Sequence, residues 1–360
     1  MSKSLEIGIV GLPNVGKSTL FNSLTNNNVL IANYPFATIE PNTGIVPVPD
    51  ERLNKLAVLY SSKKVVPATV TFVDIAGLVS GASKGEGLGN QFLGNIKACN
   101  AIVHVVRAFK DNDIVHVNND VKPKKDIEII NTELVLADLQ TITNHLKKLE
   151  KEARINPKLQ PKLNTVKSAL EILDNNELLS SDTNLDKDLL VDLQLLTVKP
   201  VIYVFNVDEE GLVDNKMKNY LKELVDPAPS LLICAKLEYE LKALSEEEAS
   251  ELLESYGQEK SGLFRMSKLA YNVLGLQSFL TAGEKETRAW TIPQGNTAQQ
   301  AAGVIHTDFA RGFIAAEIIN YFDLIKYGSL ASARAAGKVR TEGKDYVMQP
   351  DDVVEFRFNV

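Results

Sequence analysis

Cysteine is nearly missing from these 360 residues, and the two that occur, Cys99 and Cys234, stand far apart with no C-x-x-C pair. This excludes a disulfide-stapled scaffold and a thiolate zinc site, and both thiols are expected to be ordinary buried groups. No uninterrupted apolar run approaches 18 residues, and the first residues carry no charged-then-apolar export signal. A membrane span is therefore not expected, and a cytoplasmic address is. Nor is there an excess of positive charge. The 39 Lys and Arg against 46 Asp and Glu give a formal charge of −7, which argues against a protein that coats nucleic acid by charge alone. Apolar sequence is plentiful at 44%, enough for two or three cores in a chain longer than one typical domain.

Between a strand expected over residues 7–10 and a helix start at 19–24 lies Gly11-Leu12-Pro13-Asn14-Val15-Gly16-Lys17-Ser18, which matches G-x-x-x-x-G-K-[ST]. The glycines let successive backbone N–H groups converge on one anion at a helix N-terminus. Asn14, Val15, Gly16, Lys17, Ser18 and Thr19 are therefore candidate phosphate-binding residues. Lys17 would reach the β- and γ-phosphates, and the Ser18 hydroxyl would sit on Mg²⁺.

Phosphate chemistry also needs a carboxylate for Mg²⁺ and an amide that senses the γ-phosphate. Asp74-Ile75-Ala76-Gly77, matching D-x-x-G after a strand over 68–73, offers Asp74 for the first and Gly77 for the second. Thr38 lies on the intervening stretch, where a switch threonine would complete the Mg²⁺ shell. Six glycines from Gly77 to Gly94 predict a segment that moves with nucleotide state. Leu78 stands where many GTPases place a glutamine, so water must be oriented by another group. Two candidates are Asn14, as a ligand for a monovalent cation such as K⁺, and His116, as a water-orienting or acid/base group.

Guanine-specific members of the class carry N-K-x-D, whose aspartate accepts from N1–H and the 2-amino group. Here the position reads Asn206-Val207-Asp208-Glu209. Val207 replaces the lysine, and Glu209 is one methylene longer than aspartate, so guanine loses its main anchor. Backbone groups near Asn206 and Val207 could satisfy adenine instead. Ala235, in Cys234-Ala235-Lys236, fits a loop that closes over the base through its amides.

Along the chain, strands and helices alternate to about residue 127, the pattern of a parallel sheet covered by helices. Val135, Leu139, Ile142, Leu146, Leu149 and Ala153 then repeat at spacings of four and three, as do Leu159, Leu163, Val166, Leu170 and Leu173 beyond Pro157. This reads as an antiparallel helical hairpin, with two ordinary amphipathic helices on the main core as the alternative. Sheet-like sequence resumes at 201–206 and 231–235. The expected organisation is a discontinuous α/β P-loop domain (1–127 and 200–277), a helical insertion (128–199) and a small α+β module (278–360), the last ending in strand, turn, strand over 346–356. Lys326, Arg334, Lys338, Arg340 and Lys344 fall within 19 residues whose only acid is Glu342, a candidate phosphate-binding stripe or a plain solvated face.

The motifs at residues 11–19, 33–42, 74–79 and 87–93 together resemble the YchF branch of the Obg-related P-loop GTPases of the TRAFAC class, also called Obg-like ATPases. The resemblance runs the whole length, including a C-terminal stretch similar to the TGS module, a ubiquitin-like β-grasp domain. It implies a Ras-like, mostly parallel sheet with helices on both faces. It also implies a nucleotide hydrolase that accepts ATP at least as well as GTP, and association with ribosomes or other RNA-containing complexes, RNA being met through the helical arm and the TGS module. His116 and Asn14 fall where the family has a candidate catalytic histidine and a K⁺-associated asparagine. Serine would be expected at Cys234. Two rival readings stand beside the switch: a nucleotide-dependent RNA-binding scaffold with incidental hydrolysis, and an ordinary GTPase in which Glu209 still reaches guanine.

Overall fold

Strands buried on both faces lose the apolar–polar alternation of a surface sheet, and the two middle runs of this chain show that loss. Residues 101–107 and 201–206 are buried at every position. The structure, a computed structural model, describes residues 5–25, 42–75, 88–110 and 121–359. In chain order the elements are β1 (Glu6–Val10), α1 (Lys17–Thr25), β2 (Thr43–Pro47), α2 (Glu51–Tyr60), β3 (Val65–Val66), β4 (Thr69–Asp74), α3 (Leu88–Ala98), β5 (Ala101–Arg107), α4 (Pro123–Ile155), α5 (Gln160–Asp174), β6 (Val201–Asn206), α6 (Asn215–Glu223), β7 (Ser230–Ile233), α7 (Ala235–Glu240), α8 (Glu246–Ser255) and α9 (Gly262–Val273). They continue with β8 (Leu276–Ala282), β9 (Thr287–Pro293), α10 (Ala298–Ile305), α11 (Thr307–Arg311), β10 (Phe313–Asn320), α12 (Tyr321–Tyr327), α13 (Leu330–Ala335), β11 (Arg340–Glu342) and β12 (Asp352–Phe358).

The chain divides into two compact units, one of residues 1–45 with 71–266 and one of 46–70 with 267–360. The first is built on a sheet of order β2-β4-β1-β5-β6-β7. The pairs β1–β4, β1–β5, β5–β6 and β6–β7 are parallel. Their C-terminal ends therefore share one edge, the edge where open α/β sheets bind ligands. This is the P-loop fold that the alternation of strands and helices predicts.

Inserted between β5 and β6, α4 and α5 form the expected hairpin with a core of its own. Val135, Ile142, Leu149, Ala153, Leu163, Val166 and Leu173 are buried in it, with Leu139, Leu146, Leu159 and Leu170 packed alongside. Leu179, Leu190, Leu193 and Leu195 of the returning chain complete this core. The turn follows from local chemistry: the Asn156 side chain accepts from Lys158 N–H, and Pro157 opens a short 3₁₀ turn before α5. At the root, the buried Asp138 carboxylate accepts from Leu196 N–H (2.9 Å), Thr197 N–H (2.7 Å) and the Thr197 hydroxyl (2.6 Å). Asp138 thereby fixes where the arm returns to β6. Burial still raises its carboxyl above the usual range, with these three bonds opposing. The helix begins at Pro123, a turn before the expected boundary at 128.

The second unit carries a sheet of order β11-β10-β12-β8-β9-β3. Counting the strands of the C-terminal stretch from one to five, the order is two-one-five-three-four, with β12 parallel to β8 and antiparallel to β10. This is a β-grasp around α10, with Phe279, Ile292, Ala298, Ala301, Ala316, Ile318, Met348 and Val354 as its core. The unit's C-terminal part begins at Ser267 and not at the expected 278, and two further details differ from the expectation. Residues 46–70 belong to this unit and not to the nucleotide domain, because β3 adds to β9 in parallel register and Arg52 binds there. The Arg52 guanidinium holds Asp50 through two bonds, Asp351 at 2.8 Å and the Pro350 carbonyl at 2.6 Å. The strand, turn, strand expected over 346–356 is one strand, β12, preceded by irregular chain with a single bridge from Val347 to Thr297.

Candidate functional site

The phosphate loop leaves β1 at the ligand-binding edge, and its shape is enforced by space. A β-carbon on Gly11 would stand 2.7 Å from the Val105 carbonyl oxygen and 2.9 Å from the Val15 side chain. Gly16 adopts φ +91°, open to glycine and strained for other residues, and a β-carbon there would collide with the Asn206 amide. Asn14 takes the left-handed φ of +63°, which asparagine tolerates better than most residues, and its side chain is exposed. The Gly16 carbonyl accepts from Leu20 N–H at 2.9 Å, which starts α1. The first N–H groups of α1 thus lack intrahelical acceptors and face the loop. Ser18 and Thr19 lie exposed in that first turn.

Lys17 and Asp74 meet in an ion pair, both largely buried. The register Ile9 to Asp74 between β1 and β4 sets this encounter, since both strands deliver their C-terminal ends to the same place. A hard dication in a P-loop site takes a carboxylate, a hydroxyl and phosphate oxygens, and Asp74 with Ser18 has that chemistry. Among the described residues no group of three or more His, Cys, Asp or Glu could hold a metal by itself.

At the base side, Asn206 ends β6 and is buried. Its Nδ2 donates to the Val15 carbonyl at 2.9 Å and its Oδ1 accepts from Ala235 N–H at 3.0 Å. One side chain therefore ties the phosphate loop to the base loop. Two buried bonds of this kind contribute about 2 kcal/mol. Val207 is buried, and its N–H donates to the Ile233 carbonyl at 2.9 Å, so that N–H is spent on the strand ladder. This corrects one expectation: Val207 N–H is not free for adenine, and what remains for a base there is the unspent capacity of the Asn206 amide and the carbonyl side of the turn. Cys234 takes the capping place expected for serine, its buried sulfur accepting from Leu237 N–H at 3.5 Å. Burial pushes its thiol up, so it is neutral and inert. Cys99 is likewise buried, its thiol pushed up to about 11.

Glu209 carries a contact that the motif did not announce. Lys236, 71% exposed in the first turn of α7, donates to Glu209 Oε1 at 2.8 Å. This hydrogen bond, followed by one from the backbone of Glu209 itself and, least, by the lysine charge, holds the Glu209 carboxyl below its usual range. Lys236 sits beside Ala235 in the sequence, and its sign opposes that of Glu209; the separation of 27 positions hides the pairing. Of the other expected site residues, Thr38, Gly77 and His116 lie outside the described residues, as does Leu78.

Three of the five cations in the basic stripe of the second unit pair with acids. Arg334 pairs with Glu317 at 2.7 Å, Lys338 with Asp323 at 3.7 Å, and Arg340 with Glu342 at 3.4 Å and Asp352 at 3.7 Å. Three of these four acids come from outside the stripe, so local counting overstates its charge.

Comparison with known proteins agrees with this geometry. A family model described as "50S ribosome-binding GTPase" matches residues 6–145, and one for the YchF GTPase C-terminal region, described as "Protein of unknown function (DUF933)", matches 276–359. The chain is 50% identical over 361 residues to the Ribosome-binding ATPase YchF of Pasteurella multocida (strain Pm70), covering 99% of both. It is 47% identical over 373 residues to that of Bacillus subtilis (strain 168), covering 99% of this chain and all of the relative. The solved Schizosaccharomyces pombe YchF GTPase superposes with a TM-score of 0.88 at 39% identity, covering 99% of this chain and 98% of that one. A GTP binding protein from Pyrococcus horikoshii OT3, at 19% identity and a TM-score of 0.62, shares the fold. With full-length identity at this level and both terminal regions matched, the chain belongs to the YchF family of P-loop GTPases.

Proposed function

We propose that this protein is an ATP-preferring nucleoside triphosphatase, converting ATP and water to ADP and phosphate with GTP as a weaker substrate, and that it works as a cytoplasmic, ribosome-associated switch in translation or stress response. The observation that carries this reading is Asn206, which joins the phosphate loop at Val15 to the base loop at Ala235. A triphosphate tail and a purine would thus be gripped by one connected cradle, and the relatives that this chain matches end to end are named ribosome-binding ATPases.

In this reading the amides from Asn14 to Thr19 hold the phosphates, and Lys17 exchanges Asp74 for phosphate oxygens. Ser18, Asp74 and Thr38 would hold Mg²⁺, which would supply positive charge to the phosphates. Gly77 would sense the γ-phosphate. His116 would orient the attacking water in place of the glutamine that Leu78 cannot replace. Exposed Asn14 is suited to a K⁺ beside the phosphates, a charge that stabilises the transition state. The pairing of Arg334, Lys338 and Arg340 with acids weighs against a scaffold that grips RNA through that stripe. Turnover of ATP and GTP, measured with and without purified ribosomal subunits and with K⁺ or Na⁺, tests the reading. Stimulation by subunits or K⁺ is the expected result, and turnover near zero that neither changes would contradict it.

A further inference from the structure

β6 and β7 run parallel with Asn206 beside Ile233, so the turns that leave their C-terminal ends are neighbours. One turn carries Glu209 and the other begins α7 with Lys236, and the 2.8 Å contact between them bridges the two loops on the base side of the cradle. A carboxylate recognises guanine by accepting from two adjacent N–H donors, N1–H and the 2-amino group, and adenine presents no such pair. A carboxylate whose oxygen already accepts from an ammonium has less capacity left for a base and is held in the direction of the cation.

We propose that Lys236 is a specificity-determining residue of the nucleotide site: by holding the Glu209 carboxylate across the base loop, it withholds from guanine the acceptor that would otherwise favour GTP. The missing lysine at 207 and the extra methylene at 209 weaken guanine recognition passively. Lys236 does so actively, because the same carboxylate remains in place and is engaged elsewhere. This inference rests on the nucleotide-site reading above. It assigns the base preference to a contact between two segments and not to the four-residue motif alone.

The experiment is a calorimetric titration of the full-length protein with Mg-ATP and with Mg-GTP, in the wild type, Lys236→Met, Glu209→Gln and the double variant. Lys236 is mostly exposed, so its replacement by methionine keeps the stem and leaves the core intact. The expected result is that Lys236→Met shifts the ATP-to-GTP affinity ratio about tenfold toward GTP, the size of one hydrogen bond to a charged acceptor, through tighter GTP binding. In the Glu209→Gln background the same substitution is expected to shift the ratio little, since no carboxylate is released. An unchanged ratio, an equal loss of both nucleotides, or an undiminished shift without the Glu209 carboxylate would each overturn the proposal. A wild type that prefers GTP would count against the ATP preference proposed above, whereas the change of ratio on substitution reads the role of Lys236 separately. A wild type that binds neither nucleotide would overturn both.

Discussion

The phosphate end and the base end of the cradle are built in opposite ways. The phosphate end is contiguous: residues 11–18 bend through Asn14 at φ +63° and Gly16 at φ +91° into the start of α1, and the anion-binding amides follow from that path. The base end is assembled from segments distant in sequence, with Asn206 reaching back 191 positions to Val15 and forward 29 to Ala235, and Glu209 meeting Lys236 across 27. On the proposed reading, grip on a polyphosphate is a property of one short peptide, while choice of base is a property of contacts between turns. The first should then tolerate little change, and the second should be open to retuning by exchange of one exposed side chain.

The largest expected effect separates the ends most sharply. Lys17→Ala removes the cation of the phosphate end and leaves the Asp74 carboxylate without it, so ATP and GTP should both lose about hundredfold in affinity by calorimetry, with their ratio unchanged. Normal affinity would undo the loop assignment. Asn206→Ala breaks the bridge between the ends. It strips partners from the Val15 carbonyl and Ala235 N–H, costs about 2 kcal/mol in thermal or denaturant unfolding, and weakens both nucleotides together. An unfolding free energy within error of the wild type would mean that the two loops hold their shape independently.

An effect of similar size arises in the sheet that carries both ends. His104 lies on β5, beside Val10 of β1 and Tyr203 of β6, and complete burial pushes its imidazole from 6.5 down to about 3. The folded protein thus keeps it neutral while the unfolded chain protonates it below about 6.5. The contribution to stability is full above that pH and is lost as pH falls toward 3, at up to about 1.4 kcal/mol per pH unit. Denaturant melts from pH 7.5 to 5 should show this slope, and His104→Phe should flatten it; an identical slope in the variant would assign the proton uptake elsewhere. The smallest expected effect is confined to the base end. Glu209→Asp shortens the side chain away from Lys236 and should favour GTP by about 1 kcal/mol relative to ATP, read by competition binding. Replacing Val207 by lysine is a blunter test, because that side chain is buried and lies against Gly211.

The legibility of the sequence follows the same division. The phosphate loop, the strands over 101–107 and 201–206, and the helical arm from its four-three spacing were readable because each is a local pattern with one physical interpretation. The arm's seam even anticipated every apolar side chain of its core that comes from α5 and Leu159 except Ala169 and Ile172. The placement of 46–70 in the second unit was not readable, because it depends on Arg52 meeting Pro350 and Asp351 almost 300 positions away. The partners of the basic stripe are hidden for a related reason: Glu317, Asp323 and Asp352 lie outside the 19-residue window that holds its charges. Chain order conceals ion pairs, while hydrophobic periodicity and glycine turns survive in it.

The central claim is that one connected cradle grips the triphosphate through residues 14–19 and tolerates adenine at residues 206–209. Isothermal titration of the wild-type chain with Mg-ATP and Mg-GTP tests it most directly. The account predicts saturable binding of both, with ATP at least as tight as GTP. Tight uptake of GTP with no heat from ATP would contradict it.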